Sequence, residues 1–360
     1  MVEWAGLENR NTRKRIVGSN PTLSATEETT LAVVFFRLVA LLILLPGLAV
    51  AHAAQPQRPL SPEIESFISE VADKHQFEPG ALRRLLAQAQ VRPGILRAIS
   101  APGTARPWHE FRGRYVDAAR INGGAAFWHE HAAVLARASR EFGVPEEIIV
   151  ATIGVETLYG RNTGSHRVLD ALATLAFHFP PRAGLFRSEL EEYLLLVRET
   201  GLSATGVRGS YAGAIGIPQF LPSSYRRYAI DFDGDGRRDL ISATADAIGS
   251  VANYYKAHGW REGEPVVVPV EASGGAVDAL IEMGLQPRLK IADLRRRGVV
   301  PGAPVDDGAE AALFSVETEQ GLRYWLGLNN FYVITRYNRS VNYALAVHEL
   351  ASELRGLVNP

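Results

Sequence analysis

The 360-residue chain contains no cysteine. That excludes disulfides, Cys-ligated zinc, iron–sulfur clusters, thiol nucleophiles and a lipidated N-terminal Cys together. It does not name a compartment, because oxidising compartments permit disulfides without requiring them. A dominant charge is also missing: 38 Lys and Arg face 39 Asp and Glu, a net charge of −1. Nucleic acid is therefore not an expected partner. Charged residues make up 21% of the chain and hydrophobic ones 47%, which excludes a disordered chain. The length allows two or three packed units.

One long apolar run stands out near the start. It extends from Leu38 to Ala51, preceded by Arg37 and interrupted late by Pro46-Gly47. This is the length of a signal-peptide core and short for a membrane span of roughly 20 residues. Ala51-His52-Ala53 offers a small-residue cleavage site. Residues 1–53 are thus expected to be a signal peptide, with an uncleaved anchor through 31–51 as the alternative. Residues 1–30 show no hydrophobic periodicity, so translation is expected to begin near Leu31 or Val33.

A Pro-rich linker, 54–62, leads into a helical pattern. Ser61 is a candidate N-cap for a helix opening at Pro62-Glu63. Further helices are expected over 79–89, 108–120, 125–142, 145–159, 169–177, 188–200 and 244–258. Residues 201–240 are Gly-rich with short segments. Strands are expected at 266–270, 313–316, 323–326 and 332–335, with short helices at 277–283 and 291–297 and a closing helix at 343–357. The fold class is mainly α (α+β): a helical domain 63–145, a core 146–262, a small β-containing domain 263–330 and a C-terminal segment 331–360.

The helix from Pro145 carries an odd carboxylate. Glu146 and Glu147 occupy the first turn, where negative charge suits the helix dipole. Glu156 lies near the opposite end, three residues after Ile153 and seven after Ile149, on the side of those isoleucines. A carboxyl held against apolar groups loses hydration and its pKa rises, which suits a proton donor to a leaving oxygen. The alternative is a structural ion pair with Arg161 or Arg167.

The most specific string is Asp231-Phe232-Asp233-Gly234-Asp235-Gly236-Arg237-Arg238-Asp239. Acids at positions 1, 3, 5 and 9 with Gly at position 6 match an EF-hand calcium loop, in which position 7 gives only its carbonyl. Position 12 is Ser242 rather than Glu, so Asp246 is the candidate closing ligand. The expected metal set is Asp231, Asp233, Asp235, Arg237 through its carbonyl, Asp239 and Asp246, holding a structural Ca2+. The alternative is an acidic surface turn. No organic cofactor is expected.

Ser210 to Phe220 is rich in Gly and Ala, residues that let backbone approach a ligand closely. Tyr254, Tyr255, Tyr337-Asn338 and Tyr343 add aromatics with polar tips, a type of side chain that stacks on sugars and bonds their hydroxyls; the alternative is that these tyrosines are core residues.

Together these strings resemble one family, the B-type lytic murein transglycosylases, which cleave bacterial peptidoglycan. The carrying segments are GVETLYG (154–160), SYAGAIGIPQFLPSSYRRYAIDFDGDG (210–236), DAIGSVANYYKAHGW (246–260) and ITRYNRSVNYALAV (334–347). The resemblance implies a lysozyme-like helical core with an EF-hand-like calcium loop and a small β domain. It implies Glu156 as the single catalytic acid/base. Ser210, Gln219, Tyr254, Tyr337, Asn338 and Tyr343 match glycan-cleft residues, and Tyr115 and Phe186 match more loosely. The implied reaction cleaves the β-1,4 bond between N-acetylmuramic acid and N-acetylglucosamine and leaves a 1,6-anhydro end. A hydrolytic muramidase, with Asp117 or Asp170 as a second carboxylate, and a non-catalytic calcium-stabilised peptidoglycan-binding protein are the alternatives. Expected partners are peptidoglycan glycan strands and cell-wall synthesis proteins, in the periplasm. Some family members are lipoproteins; without Cys this chain is not expected to be one.

Overall fold

The computed structural model describes residues 59–100 and 106–358. The signal or anchor segment, the question of the translation start and most of the linker lie outside the described residues. The chain opens with α1 (Pro62–His75), α2 (Pro79–Leu86), α3 (Pro93–Ser100), α4 (Trp108–Tyr115), α5 (Ala118–Glu130) and α6 (Ala132–Phe142). Next come α7 (Glu146–Thr157), the short β1 (His166–Arg167), α8 (Val168–His178), α9 (Ala183–Thr200), β2 (Arg208–Gly209), α10 (Pro222–Tyr228) and α11 (Thr244–Ala257). The sheet region holds β3 (Val267–Ala272), α12 (Val277–Glu282), β4 (Leu289–Lys290), α13 (Ile291–Arg296), β5 (Val299–Pro301), β6 (Glu310–Thr318) and β7 (Gly321–Gly327). Two helices close the chain, α14 (Asn329–Tyr337) and α15 (Val341–Val358).

The Ser61 hydroxyl accepts from the Ile64 N–H and caps α1, with Pro62 in its first turn, as expected. The expected 108–120 and 125–142 helices are divided elsewhere. The chain breaks at Val116-Asp117, where the Asp117 carboxylate caps α5 by accepting from the Arg120 N–H at 2.8 Å. The pair Gly123-Gly124 instead lies inside α5, where Tyr159 packs closely on it. Asp117 is therefore a helix cap. The segment 332–335, expected as a strand because it is β-branched and aromatic, is part of α14. Tertiary anchors override propensity there. Asn330 gives its Nδ2 to the Arg261 and Glu264 carbonyls, both at 2.8 Å, and Phe331 stacks on Phe314 at 4.5 Å.

The five-stranded sheet is antiparallel in the order β4-β6-β7-β3-β5. Leu326 stands opposite Val268 on one side and Leu313 on the other, and this row packs with Ile291 and Leu294 of α13 into a small separate core. The next row, Phe314 and Trp325, faces the main core through Phe331. At the centre of the main core α7 packs against α15, α5, α11 and α6. Residues 148–155 of α7 are all buried. A helix apolar all round has no solvent face to choose, so Glu156 is singled out by its place in the last turn rather than by lying on the isoleucine side.

Asp170 on α8 is 1% exposed and belongs to a clasp. Its carboxylate accepts from Arg92 Nε at 3.0 Å, Arg92 Nη2 at 2.8 Å and the Gln90 N–H at 3.0 Å. Those bonds tie the stretch between α2 and α3 to the core and leave no free catalytic oxygen. Asp170→Ala is expected to cost about 1–3 kcal/mol, since Arg92 is half-exposed, while any activity per folded molecule stays unchanged. Denaturant unfolding and a rate assay check both halves.

Candidate active site

Glu156 sits where α7 stops. Leu158 and Tyr159 have φ of 50° and 61°, left-handed values uncommon for non-glycine residues, followed by Gly160 at 80°. Local bonds hold this sharp end. Thr157 Oγ1 donates to the Ile217 carbonyl at 2.8 Å, and the Tyr159 hydroxyl donates to the Arg120 carbonyl at 2.7 Å. Arg120 Nε in turn donates to the Gly154 carbonyl at 3.2 Å, placing a cation at the negative end of the helix. Gly154 is required because any Cβ there would strike the Tyr159 ring.

Neither Arg161 nor Arg167 pairs with Glu156. Arg161 is exposed, and Arg167 lies 3.7 Å from Asp170. Glu156 is bonded instead by the Tyr343 hydroxyl, 2.6 Å from Oε1. Burial pushes the Glu156 carboxyl up to about 8, and the Tyr343 bond pulls the other way without prevailing. Tyr343 is itself buried, and its hydroxyl is held well above the ordinary tyrosine range, so it stays a donor. A carboxyl that keeps its proton at neutral pH can act as a general acid.

Glu156 opens into a cleft of about 260 Å³ whose walls include Gln219, Phe220, Ser223, Tyr254, Tyr337 and Arg336. Among the described residues lining it, Glu156 is the one carboxylate. The aromatics form one wall: Tyr254 and Tyr337 centroids are 4.8 Å apart, and Tyr337 stacks on Tyr343 at 6.3 Å. Backbone contacts fix their polar tips, with Tyr254 donating to the Arg336 carbonyl at 2.6 Å and Tyr337 to the Pro218 carbonyl at 2.5 Å. Gln219 holds φ of 52°, donates Nε2 to the Thr163 and Gly216 carbonyls at 3.0 and 2.8 Å, and leaves Oε1 buried without a partner. An orphaned acceptor beside the acid calls for a ligand donor.

Other expected cleft residues stand elsewhere. Phe186 is fully buried, because α9 turns Phe186, Glu189, Leu190 and Tyr193 inward at helical spacing. Ser210 is also fully buried, and its Oγ accepts from the Ala212 and Ala214 N–H groups at 3.2 and 3.0 Å, shaping the loop behind the cleft. The small residues of that loop serve backbone against backbone rather than backbone against ligand. A Cβ on Gly209 would strike the Ala214 carbonyl, and one on Gly216 the Leu240 carbonyl. Asn338 is buried, its Oδ1 accepting from the Ser340 N–H at 3.2 Å. Tyr115 lies stacked on Phe111 at 4.6 Å under the Arg120 guanidinium, near enough to Glu156 to feel its charge. Sequence reasoning missed Phe220, Leu221, Ser223, Ser224, Arg336 and Arg339 in the cleft wall. Their one signal was position, since they lie beside Gln219 and around Tyr337-Asn338.

The acidic loop gathers differently from its sequence numbering. Asp231, Asp233 and Asp246 bring carboxylate oxygens within 4.8 Å of one another, a donor set that suits a hard cation such as calcium. Asp246, fully buried at the start of α11, accepts from the Phe232 and Asp239 N–H groups, both at 2.7 Å, and so closes the loop. Burial and the neighbouring Asp233 charge push its carboxyl up. Asp235 is exposed and accepts from the Arg237 N–H at 2.8 Å. Asp239 is outside the cluster: its oxygens accept from the Ile241 and Ser242 N–H groups and the Ser242 hydroxyl, so it caps the following turn.

The family model described as "Transglycosylase SLT domain" matches residues 60–352. Membrane-bound lytic murein transglycosylase B of Escherichia coli strain K12 is 42% identical over 300 residues, 81% of this chain and 82% of that protein. The structure of soluble lytic transglycosylase SltB1 from Pseudomonas aeruginosa superposes with a TM-score of 0.78 at 47% identity, covering 83% of this chain and 100% of that one. Escherichia coli Slt35 in complex with calcium gives 0.74 at 40% identity, covering 83% and 94%. Pseudomonas aeruginosa SltB3 in complex with NAG-anhNAM-pentapeptide gives 0.71 at 31%, covering 82% and 79%. No helix among the described residues is long and apolar enough to cross a membrane.

In the folded chain Glu156 holds its proton up to about pH 8, against an ordinary value of 4.5. The native state binds the extra proton between those values, so stability falls as pH rises through that window. Glu156→Gln lacks this penalty. Its melting temperature is expected to match or trail the wild type near pH 4 and to exceed it near pH 9; an unchanging difference across that range would contradict the buried, protonated carboxyl.

Proposed function

Because the chain belongs to the SLT family of peptidoglycan-cleaving lytic transglycosylases, we propose that it breaks the β-1,4 bond between N-acetylmuramic acid and N-acetylglucosamine with Glu156 as sole acid and base, leaving a 1,6-anhydro end. The observation carrying this is a single carboxyl in the cleft, held protonated near neutrality by burial. A two-carboxylate hydrolase needs a second acid across the scissile bond, and Asp117 and Asp170 are engaged as a helix cap and a clasp.

Protonated Glu156 donates to the glycosidic oxygen as the bond to C1 breaks. Positive charge develops at C1, and the substrate's own acetamido oxygen stabilises it, the recognised exception to the two-carboxylate scheme. Glu156, now ionised and steadied by the Tyr343 hydroxyl, takes the proton of the C6 hydroxyl. That oxygen closes on C1 and no water is consumed. Gln219 Oε1 accepts from the acetamido N–H, Tyr254 and Tyr337 stack on the sugars, and Arg336 and Arg339 attract carboxylates of the attached peptide. Ser210 and Asn338 act one layer behind, by fixing the loops. The Escherichia coli Slt35 complex with calcium and the Pseudomonas aeruginosa SltB3 complex with NAG-anhNAM-pentapeptide support this substrate and an ion at Asp231, Asp233 and Asp246, completed by Asp235 and the Arg237 carbonyl.

We further assign residues 63–145 to a helical domain, 146–262 to the catalytic core, 263–330 to a small β-containing domain and 331–360 to a segment returning to the core. Export to the periplasm by the segment before residue 54, and contact with cell-wall synthesis proteins, complete the proposal.

Mass spectrometry of sacculi digested by the purified protein is expected to find anhydro-ended muropeptides, one water lighter than reducing ones. Glu156→Gln is expected to lose at least about 10²-fold in rate while still binding sacculi. Reducing ends alone would establish a hydrolase, an unaffected rate in Glu156→Gln would remove Glu156 from the chemistry, and a wild type that binds sacculi without cleaving them would be a binding protein. Excess chelator is expected to lower the melting temperature, with recovery on adding calcium; an unchanged melt would mean that the acidic loop holds no stabilising ion.

A further inference from the structure

One buried acid of the core has no part in the acid/base assignment. Glu189, on the inward face of α9, is 5% exposed. A carboxylate so deep is ordinarily met by a cation. Here a single serine takes both oxygens: Ser223 gives its N–H to Oε2 at 3.0 Å and its hydroxyl to Oε1 at 2.6 Å. Ser223 is half-buried and lines the cleft that holds Glu156.

The direction of that hydroxyl bond matters. A serine has one proton to give, and once it is committed the oxygen offers only lone pairs. Ser223 Oγ is thus a fixed acceptor in the cleft wall. Gln219 reaches the same state by another route, both N–H bonds of its amide being spent on backbone carbonyls and Oε1 left over. Two acceptors of fixed polarity in one cleft are a pattern for reading a ligand that presents donors. The hydroxyl and acetamido N–H groups of an N-acetylhexosamine are such donors.

We infer that Ser223 is a specificity-determining contact for the glycan, an acceptor-only hydroxyl that receives a sugar O–H or N–H, and that Glu189 is the positioning residue that fixes its polarity. The inference rests on the cleft being the glycan site. Glu189 itself touches no substrate. Burial raises the carboxyl's affinity for a proton, and the two Ser223 bonds offset this only in part.

The test uses the full chain on purified sacculi, with Ser223→Ala, Glu189→Gln and the double variant. Ser223→Ala deletes the acceptor but keeps the backbone bond to Glu189. In Glu189→Gln the new amide donates to Ser223 Oγ and turns the serine proton toward the cleft. Each single variant is expected to raise KM about 3–10-fold, the worth of one hydrogen bond, with kcat within about twofold of wild type. The double variant is expected to be no worse than either single one. An unchanged KM in Ser223→Ala overturns the contact. A Glu189→Gln with a lower melting temperature and a wild-type KM makes Glu189 a structural clasp only. Should Glu189→Gln not fold, Ser223→Ala alone decides. Failure of the underlying function shows separately, as wild type without cleavage or Glu156→Gln with full activity.

Discussion

Holding one carboxyl largely desolvated at the end of an apolar helix, yet open to a cleft, is the constraint around which the core is arranged. Such a group is costly unless its charge is withheld, and here the proton stays on. The surrounding structure favours that state near neutrality. Four helices close over α7, the Tyr343 hydroxyl bonds Glu156 Oε1, and the left-handed run after Thr157 ends the helix abruptly. Gly154 and Tyr159 belong to the same solution, since the ring occupies the space that a side chain at 154 would need.

What could be read from the chain beforehand was whatever depends on near neighbours. The helix bearing Glu156, the Ser61 cap and the acidic string of 231–239 announce themselves within a dozen residues, and the structure contains each. Glu156 drew notice as a charge among isoleucines, although residues 148–155 of the helix turned out to be buried on every side. Asp246 could be proposed as a closing residue because the standard position held Ser242.

The rest depends on contacts distant in sequence. Residues 332–335 are β-branched and aromatic, and only the hold of Asn330 on Arg261 and Glu264 makes them helical. Ser210 lies in a matching stretch and Phe186 matches only loosely; the first shapes a loop from behind and the second is inside the core. Asp239 fits a calcium pattern by position and caps a turn instead. The arginines and serines of the cleft wall carry no local signature, because what assembles them is the meeting of α10 and α11 with the link between α14 and α15.

The acidic loop and the aromatic wall share one helix. Asp246 stands in the first turn of α11 and Tyr254 two turns further on, so the same helix is gripped by the loop at one end and lines the cleft at the other. Tyr254 in turn holds the Arg336 carbonyl, which carries the grip across to α14. The loop thus works as an anchorage: the acidic cluster is not part of the cleft lining, and the contribution of any ion it takes would be the steadiness of the aromatic wall.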